Sequence, residues 1–285
     1  MPSVTTREIV DAARQAGAGV GAFNVITLEH AEAVVSAAER AGRPVILQLS
    51  QNAVRFHHGR VHPVAAAMVR IAAAAAVPVS LHLDHVDDED LLHQAADAGF
   101  SSVMFDASTR PYAENVRATR TAAEWAHRHG LWAEAELGEV GGKDGAHAPG
   151  VRTDPGEAAD YVAATEVDGL AVAVGSSHAM TSRTAVLDLE LVTALRQAVD
   201  VPLVLHGSSG VPDDQLRGAV RRGMVKVNIG TALNVAYTGA VREILAQPGH
   251  PSDPRAYLRA ARDAVTDTAA HLIEVLAGAT LHPGG

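Results

Sequence analysis

The feature that most constrains this chain is a repeated alternation. A short run rich in Val, Leu or Ile ends in polar residues, an Ala-rich stretch of helical period follows, and the pair recurs eight times. The apolar runs are Val20–Val25, Val45–Ser50, Val79–Asp84, Ser102–Asp106, Leu131–Leu137, Leu170–Gly175, Leu203–His206 and Val225–Ile229. The helical stretches fall near Leu28–Ala41, Pro63–Ala76, Asp88–Ala98, Tyr112–His129, Pro155–Thr165, Leu189–Val199, Pro212–Arg222 and Thr231–Ala246. Strands separated by helices pair in parallel, because the helix returns the chain to the same end of the sheet. Eight units predict an α/β fold closed as a (β/α)8 TIM barrel. The competing open, doubly wound sheet would, in its dinucleotide form, show G-x-G-x-x-G after the first strand, where this chain has Gly21-Ala22-Phe23-Asn24. A further helix precedes the first strand (Thr6–Ala16) and another follows the last unit (Pro254–Ala277). Residues 1–285 therefore read as one domain, with Gln247–Pro254 a turn rather than a boundary.

Composition then narrows the class. The 285 residues are 47% hydrophobic and 20% charged, enough for a large core. A net charge of −10 argues against a general nucleic-acid binder, which presents a basic face to phosphates. No apolar run approaches the ~20 residues that cross a bilayer, and Met1 to Asp11 is too polar for a signal peptide. There is no cysteine, so any metal must be held by carboxylates and by some of the fifteen histidines. The expectation is a cytoplasmic enzyme.

In such a barrel the chemistry sits at the C-terminal ends of the strands. Read in order, those ends carry Asn24, then Gln48 and Ser50, His82 to His85, Asp106, Glu134 and Glu136, Ser176 to His178, His206 to Gly210, and finally Lys226 to Thr231. Three strand ends thus deliver His85, His178 and His206 to one face, a donor set that suits a catalytic Zn²⁺ with an open fourth position. One such histidine alone reads more simply as structural; three at one rim favour a metal. The small residues of His206-Gly207-Ser208-Ser209-Gly210 and Asn228-Ile229-Gly230-Thr231 each lead into a helix, the arrangement that receives a phosphate. Gly138 to Thr153 is a long glycine-rich connection that reads equally as a lid or as an ordinary loop. Asp87-Asp88-Glu89-Asp90 reads as the acidic first turn of a helix.

Taken together, Ala22-Phe23-Asn24-Val25, His82-Leu83-Asp84-His85, Ser102 to Ser108, Glu134-Ala135-Glu136-Leu137-Gly138, Leu205 to Gly210 and Val227 to Thr231 resemble the motifs of the class II, zinc-dependent ketose-bisphosphate aldolases. The resemblance covers almost the whole chain, in the family's order. It implies a lyase with zinc on His85, His178 and His206, and Asp84 as acid/base. It places Asp106 and Glu136 at positions linked to a second divalent or monovalent cation. Asn24, Ser50, Ala179, Gly207, Ser208, Ser209, Asn228, Ile229, Gly230 and Thr231 fall where the family meets its phosphorylated sugar. It also implies a homodimer or homotetramer. Two departures stand out. Ala179 replaces the usual glycine after the second histidine, and the lid reads Gly141-Gly142-Lys143-Asp144, so that the shorter Asp144 takes the place of a glutamate thought to move the C3 proton.

Two other readings are open at this point. A Schiff-base aldolase needs a desolvated lysine; Lys226 shares parity with Asn228 and could point inward, its simpler role being to pair with an interior carboxylate. A non-catalytic phosphosugar-binding barrel is the other, and within the aldolase reading a different sugar acid derived from dihydroxyacetone phosphate stays open as the substrate.

Overall fold

The strands β1 (Val20–Asn24), β2 (Val45–Ser50), β3 (Val79–Val86), β4 (Ser102–Phe105), β5 (Trp132–Leu137), β6 (Gly169–Val172), β7 (Leu203–Leu205) and β8 (Met224–Ile229) pair in parallel in sequence order, and β8 closes on β1. The computed structural model describes residues 4–137, 151–177, 180–249 and 252–278. The helices are α1 (Thr6–Gln15), α2 (Leu28–Ala41), α3 (Gln51–Phe56), α4 (Val61–Ala74), α5 (Glu89–Leu92), α6 (Tyr112–Arg128), α7 (Pro155–Thr165), α8 (Leu189–Ala198), α9 (Asp213–Arg221), α10 (Thr231–Leu245) and α11 (Pro254–Leu276). This is the expected (β/α)8 barrel with a helix added at each end.

Local signals set the element ends. Thr5 and Glu8 form a reciprocal capping box at α1, and Asp154 accepts from the Gly156 and Glu157 N–H groups ahead of Pro155 at α7. Gly42 stops α2 at φ +60°, a left-handed conformation that costs glycine little.

Two helices depart from expectation. Gln51–Phe56, which the alternation assigns to no element, forms a short helix capped by Ser50, whose hydroxyl accepts from the Ala53 N–H. The stretch Asp88–Ala98 is helical only over Glu89–Leu92. Beyond it several bonds tighten to a three-residue spacing, Gln94 N–H to the Leu91 carbonyl and Ala95 N–H to that of Leu92, and the helix gives way to turns.

Strand alternation separates two apolar layers. Phe23, Leu47, Leu49, Leu81, Leu83, Val103, Phe105, Leu170, Val172, Leu205 and Val227 pack in the layer shared with the helices. Val20, Ala22, Ile46, Trp132, Ala171 and Val204 fill the lower barrel interior, where Ile9, Val10 and Ala13 of α1 plug it. Burying Ile9 and Val10 stabilises by about 1.5–3 kcal/mol each. The Trp132 indole lies against Gly169, where a Cβ would stand 2.4 Å from the ring. Above this plug the inward positions turn polar, and that change builds the site.

Candidate active site

Neighbouring residues on a strand ordinarily point to opposite faces. Asp84 and His85 nevertheless line one cavity. The cause is a register shift between Leu83 and Val86 where β3 meets β4, with His85 at φ +49°. A left-handed non-glycine residue inside a bulge is costly and re-aims its side chain. His85 Nδ1 lies 2.8 Å from Asp106 Oδ2, and Asp106 in turn accepts from the Ser108 hydroxyl and N–H through its other oxygen. Asp84 is almost fully buried; its Oδ1 accepts from Asn228 Nδ2 at 3.3 Å and its Oδ2 from Gln48 Nε2 at 3.4 Å. Burial pushes the Asp84 pKa up, but His85, then His82, His206 and Lys226, outweigh it and hold the carboxyl below its ordinary value.

His206 stands just past β7 with no exposed surface. Its Nδ1 is 3.0 Å from Glu136 Oε2 and its Nε2 2.9 Å from Glu134 Oε1. Burial lowers its pKa, yet the hydrogen bonds to Glu134 and Glu136 raise it to about 9. Glu134 also pairs with Lys226 at 2.9 Å, and that ammonium is the main force holding the buried Glu134 carboxyl ionised against burial. His82, one turn of the pleat below Asp84, is the opposite case. Burial above all, with Lys226 beside it, takes its pKa down to about 3, so it is neutral.

The cavity has a volume of about 630 Å³ and opens at the C-terminal end of the barrel. One wall is Gly207, Ser208 and Ser209, where the chain makes a single 3₁₀ turn. The Ser208 hydroxyl donates to the Asn228 carbonyl, and Ser209 Oγ accepts from the Ala232 N–H, so the β7 and β8 loops are stitched together. Asn228, Gly230 and Thr231 continue this wall into the N-terminus of α10. Loop N–H groups and a helix N-terminus together favour an anion.

Asp84, His85 and His206 each bring one ligand atom within 4.8 Å of the others, and His85, Asp106 and Glu136 do the same. Imidazoles and carboxylates without thiolate fit a divalent ion of the zinc type. His206 must give up its proton to bind one.

Of the residues singled out from sequence, Asn24, Ser50, Asp84, His85, Gly207, Ser208, Ser209, Asn228, Gly230 and Thr231 line the cavity. Asp106 and Glu136 stand behind it, against His85 and His206. Ile229 packs its side chain into the layer under the helices and does not line the cavity. His178, Ala179, Asp144 and most of the glycine-rich connection lie outside the described residues. Gln48, read at the end of the second strand, lines it too, and the structure adds Gln51, Asn52, Arg55, Phe56, Asp87 and Asn234. The α3 residues were missed because six residues are too short for a periodic signal; the Ser50 cap was the available clue. In sequence Asp87 is part of an acidic helix start. It is instead gripped by Gln51, whose Nε2 donates to its carboxylate and whose Oε1 accepts from its N–H, while Asp88 does the capping.

The family model described as fructose-bisphosphate aldolase class-II matches residues 4–280. The fructose-bisphosphate aldolase of Geobacillus stearothermophilus is 39% identical over 273 residues, 94% of each chain. Among solved structures, the YdjI aldolase of Escherichia coli superposes with a TM-score of 0.84 at 34% identity, over 96% of this chain and 97% of that one.

Proposed function

This chain belongs to the class II fructose-bisphosphate aldolase family, a family of lyases, and from that premise we propose that it is a zinc-dependent enzyme reversibly cleaving a phosphorylated ketose to dihydroxyacetone phosphate and an aldehyde. The ketose is of the fructose-1,6- or tagatose-1,6-bisphosphate kind. The observation that carries this is one of placement. Asp84 and His85 line the cavity whose wall is Gly207–Ser209, Asn228, Gly230 and Thr231, and the buried His206 brings a ring nitrogen within 4.8 Å of a ligand atom of each.

Cleavage removes the C4 hydroxyl proton as the C3–C4 bond breaks, so that C4 becomes the aldehyde carbon and the electron pair stays on the three-carbon fragment. His85 and His206, with His178 as the third ligand that the family resemblance implies, would hold a divalent metal, which would supply Lewis-acid polarisation of the ketone. Asp84 takes the C4 proton and returns it on condensation; its lowered pKa keeps it ready to accept. Asn228 and Gln48 hold its two oxygens in place. The β7 and β8 loops anchor the phosphate, which turns binding energy into orientation of C3 and C4 beside Asp84. Asp144 then protonates C3. The Schiff-base alternative loses support, because the Lys226 amine is buried, paired with Glu134, and absent from the cavity lining. The same reading makes the protein a cytoplasmic homodimer or homotetramer, with a second cation near Asp106 and Glu136.

The test is cleavage of fructose 1,6-bisphosphate and tagatose 1,6-bisphosphate, followed by reduction of released dihydroxyacetone phosphate. Activity lost to a chelator and restored by Zn²⁺ supports the proposal. A metal-loaded protein that cleaves neither, and condenses dihydroxyacetone phosphate with no aldehyde, would be a binding barrel instead.

A further inference from the structure

We infer that Lys226 is a positioning residue for the proposed cleavage, acting through Asn228 to decide which edge of that carboxamide meets Asp84. The inference rests on the aldolase reading for its consequence in turnover, but its geometry stands apart from it. Lys226 has no exposed surface and does not line the cavity, so it cannot touch substrate. It lies two residues before Asn228 on β8, on the same side of the strand. Its Nζ reaches Asn228 Oδ1 at 2.7 Å and Glu134 Oε2 at 2.9 Å. On its far side, Asn228 offers Nδ2 to Asp84 Oδ1 at 3.3 Å.

An ammonium only donates, and a carboxamide has one accepting end and one donating end. With Lys226 in place, the Asn228 oxygen must face the ammonium, and the NH2 is turned toward Asp84. The reversed amide would set N–H against an ammonium and a carbonyl oxygen against a carboxylate, two repulsive contacts in a buried, low-dielectric setting. Lys226 therefore converts an amide with two near-equal orientations into one that always donates to the proton-transfer carboxylate. Glu134 supplies the counter-charge that lets the ammonium remain buried. A buried ion pair adds little net stability compared with apolar residues of similar size, so this one is better explained by what it orients than by what it stabilises.

The experiment compares Lys226→Met, Asn228→Ala and the double variant in the zinc-loaded enzyme. Lys226→Met should lower cleavage kcat by roughly 10–100-fold with KM within about twofold, the signature of an interaction used in the transition state rather than in binding. The double variant should be no slower than Asn228→Ala by more than about twofold, because two residues on one line of action are not additive. Zinc content, by elemental analysis, should stay at the parent level. A reading independent of turnover comes from the Asn228 side-chain ¹⁵NH2 signals, assigned by their loss in Asn228→Ala. They should shift and lose exchange protection in Lys226→Met. Effects that multiply in the double variant, or unchanged Asn228 signals, overturn the inference. So does loss of zinc together with activity, which would route Lys226 through Glu134 and His206. If Lys226→Met leaves the buried Glu134 carboxylate without its counter-charge and the protein fails to fold, the neutral pair Glu134→Gln with Lys226→Met carries the same measurements. A parent enzyme without turnover would sink the aldolase reading alone, while the ¹⁵NH2 signals would still decide the positioning role.

Discussion

The imidazole of His206 and the carboxylate of Glu134 face each other at 2.9 Å inside the barrel, and Glu136 holds the other ring nitrogen at 3.0 Å. Such a clamp keeps a proton that a metal must displace. At pH 7.5 the metal-free protein should release about one proton per Zn²⁺ bound, because the ligand must be neutral and the His206 pKa stands at about 9. Above that value the release should vanish. The folded pKa exceeds the ordinary 6.5, so the stabilising effect of His206 protonation on the metal-free protein is complete below about pH 6.5 and is lost as pH rises through 9. Calorimetric titration in buffers of different ionisation enthalpy measures the proton count; no release at pH 7.5 would contradict the clamp.

Replacing Asp84 by Asn keeps the shape that Asn228 and Gln48 surround and removes the proposed base. Cleavage kcat should fall by roughly 10²–10⁴, the usual contribution of a placed acid or base. Dihydroxyacetone phosphate binding should persist, since the proposed phosphate wall, Gly207–Ser209 with Asn228, Gly230 and Thr231, is untouched. Exchange of the C3 proton should suffer less than cleavage. Equal loss of both steps would make Asp84 the C3 base as well.

Borohydride added with substrate should leave no reduced adduct on Lys226. Its amine is fully buried and engaged by Glu134 and Asn228. An intact-mass increase mapping to the peptide containing Lys226 would return the Schiff-base mechanism to contention.

Arg55 is the one Lys or Arg lining the cavity among the described residues. It sits loosely at 3.5 Å from Asp87 and 3.3 Å from the Asn52 carbonyl oxygen of the side chain, with most of its side chain exposed. Arg55→Ala should raise KM for a bisphosphate ketose by roughly tenfold, as expected for one lost charge-assisted contact. Inhibition by dihydroxyacetone phosphate should change by less than about twofold. Equal weakening of both would move Arg55 to the other end of the substrate.

Gly169→Ala tests the lower barrel. The added methyl would meet the Trp132 indole at 2.4 Å, and that ring is itself fully packed. Overpacking should cost about 1–3 kcal/mol, read as a lower denaturant midpoint with unchanged slope. An unchanged midpoint would mean the ring has room to yield.

The alternation of apolar runs and Ala-rich stretches was enough to determine the barrel, its strand order and the face that carries polar residues, because a parallel βα repeat has few ways to bury both faces of its sheet. Strand parity was legible too: Lys226 with Asn228, and His82 with Asp84, share an interior as their spacing of two requires. Spacing could not show that Asp84 and its immediate neighbour His85 both open on one cavity, which takes the β3–β4 register shift and a left-handed backbone at His85. Nor could it pair Lys226 with Glu134, set Glu134 and Glu136 on either side of His206, or bring α3 and Asp87 to the rim. Those depend on which strands lie across the barrel from one another and on how loops fold over its mouth. Period along a chain reports the direction of a side chain; only closure of the sheet decides what it meets there.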